Sequence, residues 1–285
     1  MRDSGAGQKL LLNAYLILFF LYIFAPLAIM GAAAFNTSRF PTVTPWLGTT
    51  LDWFVALWND RTMWSALGTS LVIGLGVVLV SVPIGTAAAL VLDSLGGKSR
   101  GLLYGVMVSP ILTPGVVIGI ATLVFWQRFG IGGGKLLIVF AQASYIAAYV
   151  MLMVSARLQR FDRTQEEAAL DLGATRAQVF RRILVPYLRP ALLAGALIGF
   201  LQSFENYNTT LFVRGLETPL TIYIATKVRT GITPSVNALG LVLIVLTLAG
   251  AVAWELLRRR EQRRREAPEP QPVTANAAVE AAPAH

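Results

Sequence analysis

Apolar and polar positions along this chain alternate on a long scale. Six apolar stretches, 10–35, 66–92, 102–126, 136–158, 187–213 and 236–257, are separated by short mixed segments. Each exceeds the ~20 residues a helix needs to cross a bilayer. The pattern predicts an all-α membrane protein with six transmembrane helices over 10–257. Residues 1–9 form a short polar N-terminus, and 258–285 form a tail that is basic, then Ala/Pro/Glu-rich and disordered. Ala32-Ala33-Ala34 resembles a signal-peptidase site, but the apolar run before it outlasts the ~7–15 residues of a signal core, so a retained anchor is expected. Residues 36–64 hold Trp46, Trp53, Phe54, Trp58 and Trp64 and suit a loop with a helix lying in the membrane interface.

Two spans depart from a plain apolar pattern. The third contains Ser109-Pro110-Ile111-Leu112-Thr113-Pro114-Gly115. Pro110 and Pro114 remove two backbone donors, so this helix is expected to kink, either as a packing feature or as a break lining a solute path. The fifth span ends in Gln202-Ser203-Phe204-Glu205-Asn206-Tyr207-Asn208-Thr209-Thr210. Glu205 is the one acid placed well within a span; Asp93 and Glu255 fall at edges. A carboxylate at that depth costs ~2.5–3.5 kcal/mol on insertion scales and normally faces a cavity or a partner. On a continuous helix Gln202, Glu205, Asn206 and Thr209 share one face. Tyr207 then falls about 200° from Glu205 unless the helix unwinds. Either the face pairs with a partner subunit or with Arg/Lys near the mouth, or Glu205, with Asn206 and Gln202, forms a cation-attracting constriction.

The connection 159–186 is the longest mixed-charge segment between spans. Glu166–Leu172 reads as a short helix with acids at its N-terminus, Gly173 as its left-handed stop, and Thr175 as the N-cap of a second helix, 176–185, ended by Pro186. Val179, Ile183 and Leu184 form its apolar stripe, with Arg176, Arg181 and Arg182 largely off it.

Glu167-Ala168-Ala169, three residues, Gly173, nine residues, Ile183, one residue, Val185-Pro186 resembles the EAA loop of binding-protein-dependent ABC importer permeases. Val185 stands where that family usually has Leu. The resemblance implies the type I ABC importer permease (MetI-like) fold and a loop that docks on a cytosolic ATPase, with Glu167 as the ionic contact and Gly173 as the hinge. Together with the Pro-rich third span and the segment Thr230-Gly231-Ile232-Thr233-Pro234-Ser235-Val236-Asn237-Ala238, the chain is similar to spermidine/putrescine-type permeases. Those tend to have an Asp-rich fifth span where this chain has Glu-Asn-Tyr. The partners so implied are an ATPase dimer, a second homologous permease forming a heterodimer, and an extracytoplasmic binding protein meeting 36–64 and 214–235. The implied function is alternating-access import of a polyamine, driven by ATP. Other solutes for the same machine are an amino-acid derivative or an iron chelate.

Composition narrows this further. The chain is 55% hydrophobic and 14% charged, against about 25% charged in average soluble proteins. The net charge of +9 reflects placement rather than nucleic-acid binding. With the 159–186 loop inside, 17 of the 24 Lys and Arg lie on the inner side and 7 on the outer. That asymmetry puts both termini and the loop in the cytoplasm; the resemblance implies a multi-pass protein of the bacterial inner membrane, in contact with lipid. There is no cysteine and the single histidine is His285, so no metal site, cofactor or catalytic residue is expected. Gly97-Lys98-Ser99 and Gly134-Lys135 lack the earlier glycine of a nucleotide-binding loop, having Leu92 and Phe129 there. The chain is therefore expected not to hydrolyse ATP. No internal repeat supports a stand-alone secondary transporter, and no effector domain supports a signalling or scaffold role.

Overall fold

The computed structural model describes residues 6–230 and 233–265; residues 1–5 and the expected disordered stretch from 266 onward lie outside the described residues. The described residues are helical apart from loops and one isolated bridge, Asn36 to Thr49. The chain begins with α1 (Ala6–Ala33), α2 (Asp52–Asn59), α3 (Arg61–Ser94) and α4 (Gly97–Leu112). It continues through α5 (Gly115–Gln127), α6 (Lys135–Leu158), α7 (Thr164–Asp171) and α8 (Arg176–Val179). A π turn (Phe180–Leu184) leads into α9 (Val185–Glu205), followed by α10 (Asn208–Val213), α11 (Leu220–Thr230) and α12 (Pro234–Arg265).

Among the described residues four continuous segments are long and apolar enough to cross a membrane: Gly7–Ala33, Arg61–Ser94, Lys135–Leu158 and Arg176–Glu205. The expected third span is instead a pair, α4 and α5, bent by 103°. The expected sixth lies in α12, whose apolar part is Pro234–Gly250. The chain divides into two compact units, one of 1–54 and 234–285, the other of 55–233.

In the first unit α1 packs against α12. The loop after α1 is organised by Asn36, which is fully buried. Its amide donates to the carbonyls of Thr42 (2.9 Å) and Pro45 (3.0 Å), and its oxygen accepts from the backbone of Ser38 and Leu47. All four polar positions of the side chain are thereby used. α12 runs on through the basic cluster to Arg265, so the first part of the expected tail is helical, with Arg259 paired to Glu255 at 2.6 Å.

In the second unit α6 is the most buried span and packs on α3 and α9. Lipid supplies no hydrophobic drive between helices, so close packing has to hold them, and small residues permit it. Gly85 of α3 shows this: a Cβ there would stand 2.4 Å from the Ala147 carbonyl oxygen and 2.7 Å from the Val150 Cβ of α6. Ile73, Val77, Leu137, Ile138, Ala141, Ile146 and Val213 form one core cluster. A second gathers Ala89, Leu92, Val150, Met151, Val154, Leu158 and Leu188. α3 starts before the expected residue 66 because Asp60 caps it, accepting from the backbone of Thr62 (2.8 Å) and Met63 (3.1 Å).

Pro186 does not end a helix, contrary to the sequence expectation. The segment from Arg176 to Glu205 runs on, because the π turn ahead of the proline loosens the helix where its ring and missing N–H would otherwise interrupt it.

Candidate functional site

The 159–186 connection builds itself from local chemistry. Thr164 donates its N–H (3.0 Å) and hydroxyl (2.7 Å) to Asp162, and these bonds hold the Asp162 carboxyl below its ordinary pKa despite a small opposing effect of burial. Gly173 sits at φ +85°, a left-handed position that side chains rarely adopt. Around it the Ala174 N–H reaches the Ala169 carbonyl and the Gly173 N–H the Leu170 carbonyl, closing α7 in a Schellman turn. Thr175 and Gln178 then form a reciprocal capping box for α8. Glu167, Ala168 and Pro186 are exposed, and Ala169 and Ile183 half-buried. Leu172 is 89% exposed and Phe180 is exposed too, apolar surface on an otherwise charged knob.

The knob and the ends of the spans that carry it are held by contacts the sequence pattern does not reveal. Arg163 pairs with Asp93 at the end of α3. Arg157 lies 4.3 Å over the Tyr187 ring and donates to its carbonyl, while the Tyr187 hydroxyl donates to the Arg157 carbonyl.

A second site lies where two helices break. Between α4 and α5 both prolines are repaired from within. Ser109 Oγ donates to the Val106 carbonyl (2.8 Å), which Pro110 cannot serve, and the Thr113 N–H donates to the Pro110 carbonyl, which Pro114 cannot serve. Thr113 Oγ1 takes the remaining Ser109 carbonyl at 3.0 Å. Pro114 then caps α5.

The fifth span is also broken, which corrects the continuous helix expected over 187–213. α9 ends at Glu205, Asn206 is extended (φ −68°, ψ 114°), and α10 restarts at Asn208. A buried polar network fixes this break. Gln142, 1% exposed in the middle of α6, donates to Thr210 Oγ1 (2.8 Å) and accepts from Ser203 Oγ (2.5 Å). Asn206 Oδ1 accepts from the N–H and hydroxyl of Thr210, and its amide donates to Tyr145 Oη (2.9 Å). From α11, Thr221 Oγ1 donates to the Asn206 carbonyl and Arg229 to Tyr207 Oη, both at 3.1 Å. α11 is anchored in turn to α3. The Tyr223 hydroxyl donates to Asp60 (2.7 Å), Lys227 pairs with Asp60 (3.5 Å), and the Leu220 N–H donates to Ser70. Burial pushes the Asp60 carboxyl up, but hydrogen bonds from Tyr223, Met63 and Thr62 and the Lys227 charge outweigh it and hold the pKa below the ordinary 3.8.

The two breaks enclose a cleft of about 360 Å³. Of the residues singled out by sequence, Pro110, Gln202, Glu205, Asn206 and Thr209 line it; Pro114 does not. Glu205 is exposed and makes no hydrogen bond or ion pair among the described residues. Thr209 is buried with its hydroxyl unpartnered among the described residues, pressed against α5: a Cβ on Gly115 would lie 2.9 Å from that oxygen. Asn206 is committed to the break rather than free in the cleft. Tyr207, unlike its expected place on another surface, lines the cleft because the helix unwinds there. Tyr145 and Tyr149 line it too and were missed, although their i, i+4 spacing near a polar Gln142 in an apolar span was a usable signal. Among the described residues no group of acids, histidines or cysteines is placed to hold a metal.

Residues 81–263 match the family described as binding-protein-dependent transport system inner membrane component. The putrescine transport system permease protein PotI of Escherichia coli (strain K12) is 35% identical over 259 residues, covering 87% of this chain and 91% of that protein. The spermidine/putrescine transport system permease protein PotC of the same organism is 30% identical over 254 residues, covering 88% and 95%. A bacterial ABC transporter that imports the acidic polysaccharide alginate shares the fold, with a TM-score of 0.67 at 14% identity over 91% of this chain and 99% of that one. The all-helical architecture, with its broken third and fifth spans, is accordingly the MetI-like permease fold. The chain belongs to the binding-protein-dependent transport system inner membrane component family: it is a multi-pass permease of an ABC importer and not its ATPase.

Proposed function

We propose that this permease carries small polycations, putrescine or spermidine, through the cleft between its two helix breaks. The observation that carries the reading is Glu205: an uncommitted carboxylate lining a polar cleft, with three tyrosines, Tyr145, Tyr149 and Tyr207, around it. An anionic solute would call for Arg or Lys on that lining, and among the described residues none is there. Carboxylate and aromatic faces both attract ammonium groups. The names of PotI and PotC as putrescine and spermidine/putrescine permeases support the same solute class.

The 17-to-7 distribution of Lys and Arg supports an orientation with both termini and the 159–186 loop in the cytoplasm. That loop presents Glu167, Ala168, Ala169, Gly173, Ile183 and Pro186 to an ATPase dimer. A second, homologous permease completes a heterodimer, and 36–64 and 214–235 face the extracytoplasmic binding protein. ATP binding draws the docking knobs inward and rocks the spans outward-facing; hydrolysis resets them. Pro110, Gln202, Glu205, Asn206 and Thr209 line the solute's path, and Pro114 fixes the bend that opens it.

The test is uptake of labelled putrescine and spermidine by cells with and without this gene, its operon partners intact and other polyamine importers deleted. Loss of uptake on deletion is expected. Unchanged uptake overturns the solute class.

A further inference from the structure

Tyr207 also lines a separate pocket of about 100 Å³ between α10 and α11, together with Arg214, Thr226 and Arg229, among others. Its charges are unbalanced. Two acids contributed by or bonded to this region are already used: Asp60 pairs with Lys227, and Glu217 pairs with Lys135 at 3.6 Å. Among the described residues neither Arg214 nor Arg229 has a carboxylate within salt-bridge reach. Each spends one donor on a neutral acceptor, Arg214 on the Glu217 carbonyl (2.9 Å) and Arg229 on Tyr207 Oη (3.1 Å). A guanidinium has five donors in a fixed fork suited to a carboxylate, so most of this capacity stands open. Two positive forks on a small pocket ask for an anion.

We propose that this pocket receives an Asp or Glu side chain of the extracytoplasmic binding protein. The inference rests on the orientation proposed above, which puts 214–235 on the outer face. Charge complementarity favours this occupant. Two uncompensated arginines beside a residue that also lines the cleft repel a polycation, and an acid delivered by the docked protein cancels them. The same contact reaches the break. A carboxylate that grips Arg229 uses the donors that Tyr207 leaves open, and so fixes the guanidinium that holds the Tyr207 hydroxyl. Docking thereby acts on a residue that lines both this pocket and the solute cleft.

The experiment uses the complete transporter in nanodiscs, titrated with its own solute-free binding protein at low and high salt. Changing both Arg214→Gln and Arg229→Gln is expected to weaken that affinity about tenfold or more and to flatten its salt dependence. Arg214→Lys with Arg229→Lys keeps charge but loses the fork, and falls between the two; it carries the test if the glutamine pair does not assemble. Unchanged affinity at both salts overturns the proposal. So does an effect of the substitutions that appears only in discs containing phosphatidylglycerol, which would make the occupant a lipid phosphate. Affinity is read without solute, so an error in the polyamine assignment leaves the result intact. The orientation is read separately: the chain has no cysteine, and Leu216→Cys, at a fully exposed position, should react with an impermeant maleimide added outside whole cells. Absence of labelling there would overturn the orientation, and this inference with it.

Discussion

The two helix breaks that face each other across the cleft are built in opposite ways. The one between α4 and α5 is locally held: the carbonyls of Val106, Ser109 and Pro110 are met by donors from within the same few residues, Ser109 or Thr113. The one between α9 and α10 depends on distant parts of the chain. Its bonds to α6 join residues 61 and 68 positions apart, and α11 contributes two more. The local break keeps its bend without hydrogen bonds from the rest of the protein. A break held from both α6 and α11 moves only when one of them moves with it. The fifth-span break is therefore the one suited to report docking and ATP binding to the cleft, while the third supplies a permanent bend.

The largest effect should come from the distant network. Gln142→Leu strands the Ser203 hydroxyl and takes one bond from Thr210, at about 1–3 kcal/mol for each buried group left unsatisfied. Thermal unfolding of the purified complex should show the loss; a variant as stable as the parent would mean that the fifth break, too, holds itself. Next is the packing between the breaks. A Cβ on Gly119 would meet the Thr209 carbonyl oxygen at 2.8 Å and Phe212 Cβ at 3.3 Å. Gly119→Ala should accordingly cost about 1–3 kcal/mol. Gly105→Ala in α4 meets nothing within 4 Å and serves as the control. Equal stabilities would show that α5 and α10 are not locked together.

At the local break the expected effect is smaller. Thr113→Val removes one hydroxyl-to-carbonyl bond, about 0.5–1.5 kcal/mol, and should leave the fifth-span network unchanged in a double-mutant cycle with Gln142→Leu. The smallest effect concerns the α11 anchor. The folded Asp60 pKa lies below its ordinary 3.8, so the unfolded chain binds the extra proton first. Its contribution is complete above about pH 4 and fades as pH falls through the folded value. Asp60→Asn, which still caps α3, should lose only about 0.2–1 kcal/mol at pH 7. That difference should be flat from pH 7 to 5 and shrink below 4; shrinkage already between pH 7 and 5 would assign it to another group.

The same contrast explains what the sequence discloses. The third-span bend is legible because its hydroxyls and prolines sit within six residues, and Gly173 and Thr175 are legible because a left-handed stop and a capping box are local. Pro186 misled because nothing in the apolar pattern marks a π turn. The fifth span reads as one helix because its apolar positions run on to Val213. The groups that unwind it, Gln142, Tyr145 and Thr221, belong to other elements. Asn206 stood out as polar, but only its bonds to Tyr145 and Thr210 distinguish a structural residue from a solute contact. Glu205 stood out for the opposite reason, and in the folded chain it has no partner among the described residues.

The central claim is that this free carboxylate serves the passage of a cation. It is tested most directly by labelled putrescine uptake into proteoliposomes holding the complete transporter, with Glu205 or with Glu205→Gln. The account predicts that the amide variant assembles normally and that uptake falls about tenfold or more, equivalent to roughly 1.4 kcal/mol. Uptake equal to the parent's, by a fully assembled complex, would contradict it.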